Sequence, residues 1–172
     1  MGYSIYVKVE SEEVAEKFYD FLYKNMKHIN KEMFDLDDNC YGLDTDLSYA
    51  DEDCFTIGFE YGGGGADRAY AHCITKWIAR KVGEGKYFWD SDEMKLGEDI
   101  TLAKSLKESV KSIFHNPNRK ETITMKEAKE RAVTQLLGFY VFGKDRADET
   151  IVWIDNEIKR LDELWDKKEK NV

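Results

Sequence analysis

Cys54 to Val82, CFTIGFEYGGGGADRAYAHCITKWIARKV, is the stretch whose reading decides the fold. Phe55, Ile57, Phe59 and Tyr61 alternate with Thr56, Gly58 and Glu60, the period of a strand with one buried face. Gly62, Gly63, Gly64 and Gly65 follow, and the spacing then becomes helical. Ala66, Tyr70, Cys73, Ile74, Trp77, Ile78 and Lys81 share one helix face. Arg80 and Lys81 suit the C-terminal end of that helix, and Gly83 suits the position just after it.

Upstream, Tyr3, Ile5, Val7 and Val9 form one face of a second strand, with Ser4 and Lys8 on the other. Ser11 offers an N-cap, and Glu12 and Glu13 lie in the first turn, where the helix dipole favours anions. Val14, Phe18, Phe21, Leu22 and Met26 make a stripe that predicts a helix over 12–28. Residues 29–53 read as mostly loop, with short edge strands at Cys40–Leu43 and Leu47–Tyr49. Downstream, Lys86–Asp90 reads as a short strand and Asp92–Asp99 as a polar connection.

Three helices fill the rest. Leu102, Ala103, Leu106, Val110, Ile113 and Phe114 make one stripe, which ends before Pro117. Thr124 and Glu127 form a capping box before the stripe Ala128, Ala132, Val133, Leu136, Leu137 and Tyr140. Asp148 is placed to cap a third helix, whose narrow seam is Ile151, Ile154, Ile158, Leu161 and Trp165. The fold class is therefore α+β: a small, mainly antiparallel sheet with helices packed on one face, followed by a helical C-terminal part. Residues 1–97 form the first part, and 98–172 form a three-helix part packed on it as one domain. Strands and helices alternate too irregularly for a doubly wound parallel sheet.

Charge narrows the function. The 172 residues carry a net charge of -9. Residues 1–60 hold five lysines and 15 acids, so the excess lies entirely in the first third. Nucleic-acid binding is not expected of such a surface, because a phosphate backbone needs a basic face. Nor is membrane association, since no apolar run approaches a span and Met1-Gly2-Tyr3-Ser4 starts no secretory signal. The three cysteines, Cys40, Cys54 and Cys73, form no C-x-x-C, which suggests reduced thiols in a cytoplasm. No cofactor and no metal are expected.

Several constellations bear on chemistry. The glycine run at a helix start can cradle an anion through backbone N–H groups, with Asp67, Arg68, His72 and Lys76 on the polar side of the helix. It lacks the G-K-[ST] of a phosphate loop and the spacing of a dinucleotide fingerprint, so a plain turn and a protein-contact loop stay open beside an anion loop. Asp35, Asp37, Asn39 and Asp46 match calcium-loop positions, but Cys40 stands where the turn wants glycine. His72 and Cys73 diverge by about 100° around the helix, poor geometry for a thiol and its base. Asp90 and Asp92 follow three aromatics, either as a carboxylate pair or as a strand end and its turn. No catalytic residue is nominated.

Two functions follow. The first is a non-catalytic cytosolic binding protein, of inhibitor or accessory type, that engages a basic partner protein through its acidic N-terminal third, with the Tyr61–Arg68 loop beside it. Carboxylates would steer, and exposed tyrosines would anchor. Inhibitors and accessory proteins of small mobile genomes fit this description. The alternative is a protein, or weak enzyme, that binds a phosphate- or nucleotide-type ligand. It would use Tyr61, Gly62, Gly63, Gly64, Gly65, Asp67, Arg68, His72 and Lys76. A monomer and a dimer through the C-terminal helices are both compatible with the seam.

Overall fold

Ile5, Val7 and Val9 point into the core from β1 (Tyr3–Val9), as their alternation requires. The computed structural model describes residues 3–34, 49–51, 54–61, 66–98, 100–137 and 146–171. β1 is the middle strand of a five-stranded antiparallel sheet in the order β2-β3-β1-β4-β5. On one side it pairs with β3 (Cys54–Tyr61), from Tyr3 opposite Tyr61 to Val9 opposite Phe55. On the other it pairs with β4 (Lys86–Trp89), Ile5 opposite Trp89 and Tyr6 opposite Phe88. β2 (Tyr49–Asp51) and β5 (Asp92–Lys95) are the edges.

The helices among the described residues are α1 (Glu12–Asn25), α2 (Ile29–Phe34), α3 (Ala66–Lys81), α4 (Leu102–Phe114), α5 (Met125–Leu137) and α6 (Ala147–Lys170). Ser11 caps α1 by accepting the Val14 N–H at 3.3 Å. The capping box of α5 is formed in both directions, at 3.1 Å each between Thr124 and Glu127. The protein is thus α+β with a helical C-terminal part.

α3 is the centre of the packing. Tyr70, Ile74, Trp77 and Ile78 are buried, as the stripe predicts, and so are Ala69, Ala71, Thr75 and Ala79. Ala71, Thr75 and Ala79 are spaced by four and line a second face, next to His72, which touches β4. Small side chains on that line allow α3 to lie close to the sheet. One core includes Ile5, Phe59 and Tyr70 together with Leu137, Ile154 and Trp165 of the helical part. The ring of Trp165 stacks on Phe18 at 4.1 Å and meets Phe21 and Trp77 edge-on, so the α6 seam packs within the molecule.

Five expectations change. The edge strand expected at Leu47–Tyr49 runs on to Asp51, while Cys40–Leu43 and residues 47–48 lie outside the described residues. Asp92–Lys95 is a strand rather than a connection; Asp90 makes the turn with φ 52, and Met94, the one apolar residue, faces Tyr87. Residues 29–34 are a short helix, held by buried Ile29 and half-buried Met33 one turn on. α1 stops at Asn25 instead of 28. The N-cap of α6 is Arg146, and Asp148 lies in the first turn, where it pairs with Lys129 at 3.3 Å.

Candidate functional site

The described residues expected beside the glycine run make separate contacts. Tyr61 ends β3 opposite Tyr3, Asp67 is half-buried in the first turn of α3, and Gly62, Gly63, Gly64 and Gly65 lie outside the described residues. The Arg68 guanidinium donates to the Gln135 carbonyl at 3.0 Å, tying α3 to the last turn of α5. The His72 ring sits edge-on to Tyr87 and Trp89, and its Nδ1 is 3.0 Å from the Tyr87 hydroxyl. Burial, then the nearby charges of Lys76 and Arg68, bring its pKa down to about 4, so His72 is neutral at pH 7. Lys76 lines a different feature, a groove between α3, the start of α4 and α6.

The other candidates resolve similarly. Burial pushes the Cys73 thiol up to about 11, so little thiolate exists at neutral pH. The Asp90 carboxylate accepts the Ser4 N–H at 2.9 Å, and the Asp90 N–H donates to the Ser4 carbonyl at 2.7 Å. That carboxylate secures the β4–β5 turn to β1. The Asp35–Asp46 loop lies outside the described residues, and among the described residues no group of three or more His, Cys, Asp and Glu is arranged to hold a metal ion.

The described surface of the acidic third has its most ordered feature on α1. Glu12, Glu13, Glu16 and Asp20 are exposed, and with Tyr19 and Tyr23 they fall within an arc of about 120° on the helix. The two tyrosine rings stack with centroids 6.0 Å apart and 19° between planes. Tyr23 is 73% exposed, a large amphipathic ring left in water beside a row of carboxylates. Lys17, at the border of the arc, is drawn to Glu169 of α6 at 2.7 Å. This face can attract cationic side chains and offer rings for them to stack upon. Sequence reading treated Glu12 and Glu13 only as helix-dipole partners. The i, i+4 repeat of Tyr19 and Tyr23 beside Glu16 and Asp20 was the available signal.

The groove was missed altogether. Its walls come from α3 (Lys76, Arg80), the start of α4 (Thr101, Ser105) and α6 (Lys159), and its volume is about 560 Å³. No helix among the described residues is long and apolar enough to cross a membrane. Compared with protein families, with curated proteins and with solved structures, the chain matches none.

Proposed function

We propose that this chain is a non-catalytic binding protein of the cytoplasm that engages a basic partner protein through its acidic N-terminal third, with the outer face of α1 as the contact. The observation that carries the reading is the exposed arc of Glu13, Glu16 and Asp20 beside the stacked Tyr19–Tyr23 pair. Carboxylates along one helix face raise the encounter rate with a cationic surface. Tyrosine supplies large contact area at little entropic cost, and Tyr23 stands ready to be buried on binding. The cores of α1 and the sheet carry the other face, so the contact can form without rearranging the fold.

The test is differential capture with the native chain and with Glu16→Lys/Asp20→Lys/Tyr23→Ala. All three sites are on the solvent side, so the variant should keep its circular dichroism and melting point. The expected partner is a basic protein retained by the native chain, lost by the variant, and released as salt rises. Identical retention by both chains, or a complex indifferent to salt, overturns the proposal.

A further inference from the structure

We propose that the groove between α3, the start of α4 and α6 binds a small, multiply charged anion of the phosphate-ester class. Its volume of about 560 Å³ is within the usual range for small-ligand pockets. Among its described lining residues are four cations, Lys76, Arg80, Lys81 and Lys159, and two carboxylates, in a chain whose net charge is -9.

Both carboxylates are committed. Asp162 accepts from Lys81 at 2.6 Å and from Trp77 Nε1 at 2.9 Å. Asp155 accepts the Leu102 and Ala103 N–H groups at 2.7 and 3.0 Å, which closes the start of α4. Lys76, on α3, and Lys159, on α6, have no carboxylate partner among the described residues. Arg80 follows Lys76 by one helical turn on the same wall. Two ammonium groups from different walls of one concave space attract an anion that bridges them.

The remaining lining is suited to the rest of such a ligand. Thr101 Oγ1 already accepts the Lys104 N–H at 3.2 Å, so its hydroxyl hydrogen can donate. Ser105 adds a second hydroxyl, while Ile100 and Ile158 supply apolar wall for an organic moiety. A metal cation is a poor occupant, because both carboxylates among the described lining residues are engaged and the surplus charge among those residues is positive. The site shares Lys76 with the glycine-loop hypothesis but uses neither the glycines nor Arg68. It is independent of the α1 face.

The experiment is a titration of the ¹⁵N-labelled chain with inorganic pyrophosphate and, separately, with adenosine diphosphate, each against chloride at matched ionic strength. Amide shifts should cluster at Lys76–Lys81, Ile100–Ser105 and Asp155–Lys159. Lys76→Ala/Lys159→Ala should weaken binding by about tenfold or more while keeping the dispersion of the spectrum. Tighter binding of the nucleotide would assign the Ile100–Ile158 wall to the organic part. Equal binding would mean that phosphate alone is read, and either result supports the site. Shifts no larger than those with chloride, or unchanged affinity in the double variant, overturn it.

Discussion

His72 is held neutral between Tyr87 and Trp89, with its pKa brought down to about 4 from the ordinary 6.5. The unfolded chain therefore takes up this proton at a higher pH than the folded one. The contribution of His72 to stability is whole above pH 6.5 and is lost as pH falls toward 4, by up to about 3 kcal/mol. Urea unfolding at pH 7.5 and 4.5 should show this loss, and His72→Gln should have a smaller difference between the two. An equal pH dependence in both proteins would mean that His72 is not the group responsible. Gly58 is the second constrained residue. A Cβ built there would lie 2.5 Å from the Ile5 carbonyl oxygen and 2.5 Å from Tyr6 Cβ, and the carbonyl belongs to the backbone of the central strand. Gly58→Ala should therefore cost about 1–3 kcal/mol by the same measurement, although alanine normally suits a strand better than glycine.

Among the elements, the C-terminal end of α1 is held by a polar cluster on α6. Glu157 is 4% exposed, receives the Arg160 guanidinium, and accepts the Lys27 N–H at 3.4 Å. Arg160 also donates to the Asn25 carbonyl, and the Tyr70 hydroxyl donates to the Lys27 carbonyl at 2.7 Å. Burial, with Glu157 nearby, pushes the Tyr70 phenol far above its usual range, so it stays a donor. Arg160→Met should cost about 3 kcal/mol or more, because Glu157 is left buried without its cation. Replacing both by methionine should cost less than that single change. If the double variant is the less stable, the pair contributes more than its mutual compensation. Elements with strong periodicity or a cap were legible: β1, α1 from Ser11, α3, and the Thr124–Glu127 box. β5 was not, since Asp92–Lys95 offers one apolar residue and owes its pairing to the Asp90 turn. The groove was illegible for another reason. Lys76, Thr101 and Lys159 are far apart in sequence, and nothing local to any of them signals that they share a cavity.

At the scale of the whole molecule, the question is whether the sheet part and the helical part melt together. Trp165, 6% exposed near the end of α6, packs on Phe18 and Phe21 of α1 and on Trp77 of α3. The core has no seam at the boundary expected near residue 97. Heating should therefore give one transition, with near- and far-ultraviolet circular dichroism superimposable. Trp165→Ala should lower stability by about 3–5 kcal/mol and shift both signals equally. Two separated transitions would show that the parts are energetically independent.

The position of β1 in the sheet also bears on biosynthesis. This strand leaves the ribosome well before residues 54–61 and 86–89, which flank it on either side. Until both arrive, an apolar ribbon is exposed with two open edges, the condition in which nascent chains cross-pair. Slower translation through residues 10–53 would lengthen that exposure, and overexpression would multiply the neighbouring ribbons available to it. Inclusion bodies at high induction would then reflect the order in which strands are made rather than weakness of the finished protein.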